Sequence, residues 1–403
     1  MKPYKTSTDI IESVKRNISF PISQNTFSEE DILAFANEEM DISQVPNVLQ
    51  FQENYFLFEE DIPLVSGKNK YPIPSRAIGM NVKAVFFKDS NNNLYEMTQI
   101  NDDDSPYFQR NTGSETTAYS YYFKNTEIVI SQGFQNTPST GYLTIRYYLR
   151  PNKLVLNERA AVCTHFIKTI TVNNTGLNAG DIVTINGVEL EAGTDFAIGV
   201  NSIATATNLN TAIVNAGFIA TNIVGASTTE TITIRYKVLD MEISSDNDSS
   251  LSVQQTITLE FNSVPENIVD GIKIDFLETA SGHRIYNYDI ELDSGAVVGN
   301  KITFDFSDVP SDFRIGDYIC EQHECIIPNI PDDLHISLIH RTCARVLASI
   351  NDQIGLSSVQ SKIGEIEAKQ GTMIDNRGSG DPKKIVNRHS LLRYGKHGGR
   401  KGI

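Results

Sequence analysis

At 403 residues, with 21% charged residues and a formal net charge of −16, the chain is long enough for two or more domains whose cores need no disulfides. The four cysteines, Cys163, Cys320, Cys325 and Cys343, are too few and too unevenly placed for a disulfide scaffold, so a reducing compartment is expected. Lysines at the N-terminus precede no apolar run and no window reaches the length of a membrane span, so the expectation is a soluble, unprocessed protein.

The charge is unevenly distributed. From Arg377 onward eight Lys or Arg face one acid, Asp381, so this tail carries +7 and the rest of the chain −23. An acidic body argues against a groove that grips nucleic acid, whose affinity comes mostly from neutralised phosphates. It suits a surface that nucleic acid slides past.

In chain order, the spacing predicts a helix over Asp9 to Asn17, with Asp9 and Glu12 as a loose cap. Ser28 followed by Glu29, Glu30 and Asp31 caps a second, whose Ile32, Leu33, Phe35, Ala36 and Met40 form an apolar stripe. Beyond Pro46, the rhythm of Val48, Phe51, Tyr55, Phe58 and Ile62 predicts a third. From Pro63 the texture changes to strands and turns: Met80 to Phe87, the asparagine turn at residues 90–93, Leu94 to Ile100, a solvated loop at Asn101 to Asp104, a hairpin of Tyr119 to Phe123 with Glu127 to Ser131, and a long strand from Gly141 to Arg150.

Val172 to Tyr236 reads as a separate module. Asn186-Gly187 is the strongest hairpin signal in the sequence, Ser202 to Ala216 has helical spacing, and Thr231 to Val238 is a strand. Ser244 to Ser252 reads as a polar linker. Strands are expected at Thr256 to Phe261, Ile272 to Leu277, Arg284 to Leu292, Lys301 to Phe306 and Asp317 to Cys320, the last in a hairpin with Cys325 to Ile327.

The stretch from Ile330 to Asn376 then predicts a helical hairpin broken at Gly355. Pro331, Asp332 and Asp333 suit the first turn of a helix and its dipole. Ile336, Ile339, Cys343, Val346 and Ile350 make one stripe, and Leu356, Val359, Ile363, Ile366 and Met373 a second.

Chemistry-bearing motifs are few. Thiols and imidazole at Cys320, His323 and Cys325, with His335, His340 and Cys343 downstream, could ligate zinc. The spacing is not that of a paired Cys-x2-Cys knuckle, so strand-end and core cysteines with a turn histidine are the expectation, and no metal or cofactor is assigned. No Ser-His-Asp elbow, phosphate-cradling loop or His-Glu-x-x-His helix is present, and an enzyme is not expected. The basic tail interleaves Lys383, Lys384, Arg388 and Arg393 with Ile385, Leu391 and Leu392. A purely solvated tail does not need those apolar residues, so this segment is expected to dock on a protein partner.

Three stretches together resemble the large head-to-tail connector (adaptor or ring) proteins of tailed bacteriophages. They are the capped helix Asp31 to Glu39; the strand Tyr142 to Leu149 running into Arg150, Pro151, Asn152 and Lys153; and the succession from Gly316 to Ile319, through Ile330 to His335, to Ile374 to Arg377. The resemblance implies a ring of about twelve copies at the portal vertex of a virion, assembled in the host cytoplasm. It further implies that the tail docks on the portal protein, that other tail or ring proteins adjoin, and that DNA passes through without sequence-specific binding. Ile336, Ile339, Val346, Ile350, Val359, Ile363 and Ile366 are then expected to hold the bundle or its neighbours together. The alternative is a β-rich tail-fibre or adhesin-type carbohydrate-binding protein.

The expected architecture is α+β, a helical bundle from the N- and C-terminal segments with β-rich domains inserted between them. Its parts are helices over 1–62, a β-rich domain over 63–162, the hairpin, helix and strand module over 163–243, a second β-rich segment over 244–328, the helical hairpin over 329–376 and the tail over 377–403.

Overall fold

The computed structural model describes residues 4–18, 27–101, 120–130, 141–223, 230–239, 241–280 and 282–373. The tail residues Lys383, Lys384, Ile385, Arg388, Leu391, Leu392 and Arg393 lie outside the described residues, as do Asp102 to Asp104 of the solvated loop.

The first helix, α1 (Ser7–Asn17), starts two residues before the expected one. Its capping box pairs Thr6 with Asp9, with Glu12 playing no part. α2 (Glu29–Glu39) starts as the sequence implies, Ser28 and Asp31 bonding each other's backbone N–H. Pro46 does not interrupt the helical run. A π-helical turn, Met40–Gln44, joins α2 directly to α3 (Val45–Phe51), which has Pro46 in its first turn. A proline there has no N–H to donate, so a helix can widen past it.

Leu57–Pro63, expected as helix, is a strand paired antiparallel to Tyr142–Leu149. The alternation is hidden because the inward position between Phe58 and Ile62 is Glu60, an acid held by the hydroxyls of Tyr147 and Tyr288. With Ala77–Lys88 and Leu94–Glu96 these strands make a four-stranded sheet. A second small sheet is built from Lys70–Pro72, Thr98–Gln99 and the expected hairpin, Ser120–Lys124 with Glu127–Ile130. Val85, Phe87 and Ile145 of the first sheet and Tyr71 and Ile128 of the second belong to one buried apolar cluster.

The largest sheet has ten described strands and is organised on one of them, Ala161–Val172. The first part of that strand pairs with Tyr318–Glu321 and Ile257–Phe261. Its last part pairs with Glu230–Tyr236 and Leu251–Val253. The module after it therefore shares a strand with its neighbour, and the polar stretch near Ser244 contains two short strands in place of a linker. Within the module, Asn186 and Gly187 both take positive φ, 48° and 80°, as a tight hairpin turn requires. α4 (Ser202–Asn215) is capped by Asn201 and buries Ala206, Leu209 and Ile213.

α5 (Asp332–Ser349) and α6 (Gln353–Met373) form the expected C-terminal hairpin. Its break lies at Asn351, whose φ is +59°, and not at Gly355. Gly355 sits in the first turn of α6, where an added Cβ would meet Asp352 Oδ2 at 2.5 Å and Leu347 Cδ2 at 3.1 Å. Both are the ends of flexible side chains, so alanine fits there once they shift.

The expectation of a helical bundle carrying β inserts is overturned. Among the described residues strand outweighs helix, 35% against 28%, and the strands are spread over multiple sheets. The terminal helices do pack on one another, but their apolar faces belong to a core that also holds sheet residues: Ile10, Ile32, Leu338 and Val346 share it with Ile145, Leu277 and Tyr318. A helix stripe needs an apolar cover of any kind. Here much of that cover is sheet.

Candidate assembly surface and buried polar clusters

The seven apolar residues expected to mediate packing divide by environment. Ile339, Val346 and Val359 are buried within this chain. Ile363 and Ile366 are half-buried. Ile336 and Ile350 are 54% and 39% exposed. The inward face of α5 holds Leu334, Leu338, Ile339, Thr342, Cys343, Val346 and Leu347, so it keeps Ile339, Cys343 and Val346 of the expected stripe and leaves Ile336 and Ile350 at its exposed margin. Two buried polar residues on that face, Ser337 and Thr342, conceal it from an apolar count. Most of α6 faces outward, and Ile354 at its start is 85% exposed.

Where α2 meets the hairpin, a cavity of about 320 Å³ has an apolar floor of Ala344, Ala348, Leu356 and Ile363. Its rim is an ion network. Glu39, largely buried, accepts from Arg345 Nε at 2.5 Å and from Arg341 at 3.5 Å. Arg341 also donates to Ser43 Oγ at 2.9 Å and pairs with Glu367 of α6. The Glu39 carboxylate holds the Arg345 guanidinium above its ordinary pKa. This network fixes the angle between α2, α5 and α6.

A second polar cluster lies deep between the sheets. Arg76, one of the largest fully buried side chains, donates to both oxygens of Asp275 at 2.8 and 2.9 Å and to Asp289 at 2.7 Å. Asn152 donates to Asp275 at 2.7 Å and to the Glu324 carbonyl at 2.9 Å, and its own N–H reaches Asn329. The backbone N–H groups of His323 and Asp289 complete the shell around Asp275. Arg76, Asn152, Asp275 and His323 thus bind the small sheets, the large sheet and the approach to α5 into one unit. No spacing motif marks these residues; a lone arginine in a Pro-Ser-Arg turn carries no sequence signal of burial.

Among the described residues, Cys320, His323 and Cys325 do not gather into a group of three ligand atoms within reach of one ion. Cys320, Cys325 and Cys343 are fully buried free thiols, Cys163 nearly so. Burial pushes the thiols of Cys320 and Cys325 well above their ordinary range. Cys325 Sγ is 3.3 Å from the Asn152 carbonyl, and His323 occupies the hairpin turn with φ +66°.

The metal-type side chains that do converge among the described residues are His283, Asp332 and His335, with ligand atoms all within 4.8 Å of one another. His283 Nε2 lies 2.6 Å from Asp332 Oδ1. His335 Nδ1 accepts the Lys5 N–H at 3.1 Å while Nε2 faces the Ile330 carbonyl at 3.2 Å. Burial, with the imidazole of His283 beside it, pushes the His335 pKa down to about 4. Sequence alone does not single out His283, because about fifty residues separate it from its partners and a single histidine has no pattern.

His283 also borders a cavity of about 370 Å³ whose walls include Tyr55, Phe58, Tyr286, Arg284 and Asp312. No helix among the described residues is long and apolar enough to cross a membrane. No protein-family model and no curated protein matches this chain.

Proposed function

We propose that the chain is a structural virion protein that assembles as a ring joining the capsid portal of a tailed bacteriophage to its tail, with DNA leaving through the channel. The observation that carries this reading is the C-terminal hairpin. α6 runs 21 residues with one face on α5 and most of its surface outward, leaving Ile354 and the nearby Ile350 uncovered. A neighbouring copy that packs on this outward face of α6 would cover Ile354 and the exposed part of Ile350 together. The charge distribution supports the same reading. An acidic body repels DNA phosphate, and a +7 tail beyond α6 can dock by charge on the portal or an adjoining tail protein.

The role is structural in this proposal, with no catalytic step and no cofactor. The test is native mass spectrometry of the full chain, alone and with a candidate portal protein. A closed ring, or a monomer that becomes a ring on the portal, supports it.

One observation favours a second reading, a tail-fibre or adhesin protein that binds carbohydrate. The cavity bordered by Tyr55, Phe58 and Tyr286 combines aromatic walls with the charged Arg284 and Asp312, a composition suited to a sugar ring with its hydroxyls. A trimer indifferent to the portal, together with glycan binding lost in Tyr286→Ala, would replace the connector reading.

A further inference from the structure

We infer that His283, Asp332 and His335 form a binding site for a divalent transition metal of the zinc class. The inference is independent of the connector reading, and it concerns residues that reading does not use. Two parts of the chain deliver the ligands, one of them, His283, from a left-handed backbone conformation with φ +42°. His283 comes from the loop between the strands Lys273–Leu277 and Ile285–Glu291. Asp332 and His335 lie three apart in the first turn of α5, on one face of the helix.

The geometry is close to what a metal would need. Two imidazoles bound to one tetrahedral zinc at ordinary Zn–N distances have ring centroids about 5 Å apart; those of His283 and His335 are 5.3 Å apart. The carboxylate is already 2.6 Å from His283 Nε2. His335 holds its Nε2 toward the Ile330 carbonyl, the type of outer bond that orients a ligating imidazole and leaves Nδ1 to the metal. In this structure Nδ1 takes the Lys5 N–H, so the metal would displace that one backbone contact of the N-terminal arm. The fully buried ring of His283 has only one nitrogen partnered; its Nδ1 has no hydrogen-bond partner. On binding, the metal takes the place of the proton between His283 Nε2 and Asp332, and that proton moves to Nδ1 of the same ring, so none is gained or lost.

The ligand chemistry selects the metal. Two neutral imidazoles and one carboxylate suit zinc or a neighbouring first-row ion, and not calcium or magnesium, which favour oxygen. Asp332, 20% exposed at its side chain, gives access from solvent and leaves a fourth position for water. The bound ion would tie the large sheet to the first turn of α5.

The experiment is calorimetric titration of the full chain, stripped with a chelator, with Zn²⁺ and separately Mg²⁺. One equivalent of Zn²⁺ is expected, no Mg²⁺, and a Zn²⁺-dependent rise in melting temperature. Asp332→Asn and His283→Gln should each weaken Zn²⁺ binding about a hundredfold, while Cys320→Ser should leave it unchanged. Because a buried variant can fail to fold, the native chain is also loaded with Co²⁺: a tetrahedral visible spectrum without a thiolate charge-transfer band is expected. Absence of Zn²⁺ uptake by the native chain, a thiolate band, or undiminished uptake by folded Asp332→Asn would each overturn the site.

Discussion

Replacing Arg76 by methionine removes a guanidinium whose side chain is 1% exposed and leaves Asp275, 0% exposed, without a counter-charge. Methionine keeps much of the volume, so the change isolates the charge from the packing. Breaking a buried ion pair by deleting one partner costs about 3–5 kcal/mol, because the remaining charge stays desolvated. Two features set the expected value within that range. Asp275 keeps three donors, from Asn152 Nδ2, the His323 N–H and the Asp289 N–H, and these stabilise it. Asp289 is 27% exposed and can recover water. The loss should therefore lie near the lower bound, about 3 kcal/mol, read as a fall in the urea midpoint at unchanged slope. Adding Asp275→Asn should return part of the loss, since the orphaned charge is then gone. A loss below about 1 kcal/mol in the single variant, or no recovery in the double, would refute the view that this cluster holds the sheets and helices together.

Deleting the residues after Gly380 should abolish attachment to the portal while the far-ultraviolet spectrum and melting of the body stay unchanged; unchanged attachment would remove the docking role of the tail. Ile354→Lys should disrupt ring formation in native mass spectra while changing monomer stability by no more than about 0.5 kcal/mol. Gly355→Ala should raise the melting temperature, because alanine favours helix by about 1 kcal/mol and the Asp352 carboxylate and Leu347 methyl that its Cβ would meet are side-chain ends that can shift; a lower melting temperature would show that they are held in place. Burial raises the Cys163 and Cys343 thiols from 9.0 to about 12, so the folded state keeps protons that the unfolded state loses. Stability should be flat below pH 9 and fall by about 1.4 kcal/mol per thiol for each pH step above it, until about pH 12. The native thiols should accordingly resist alkylation at pH 8 until urea unfolds the chain.

Much of the local structure is legible in the sequence. Ser28 with Asp31, Asn186-Gly187 and Pro331 with Asp332 are short-range devices, and each marks the element that the sequence implies. Expectation and structure part where a long-range partner decides the outcome. Glu60 points inward only because Tyr147 and Tyr288 await it, so a strand looks like a helix. The inward face of α5 is wider than the expected stripe, of which it keeps Ile339, Cys343 and Val346, because the buried polar Ser337 and Thr342 belong to it as well. The architecture differs for a related reason: an amphipathic stripe states that a face must be covered, not whether helix or sheet covers it. Of the buried clusters, Arg76 and His283 have no local signature, whereas Ile336 and Ile350 stand out by their spacing and yet lie exposed, off the stripe that faces the core.

The strand Ala161–Val172 has a mechanical consequence. Its two ends belong to different parts of the large sheet, and at both ends its neighbours run antiparallel and are bonded along their length. Tension applied to the module of residues 163–243 along this strand would load those hydrogen bonds together, in shear, instead of opening them one at a time as a peeled hairpin would. The module would then behave under pulling as a stiff extension of the body. Force applied to the module would thus be passed to the body without a hinge between them.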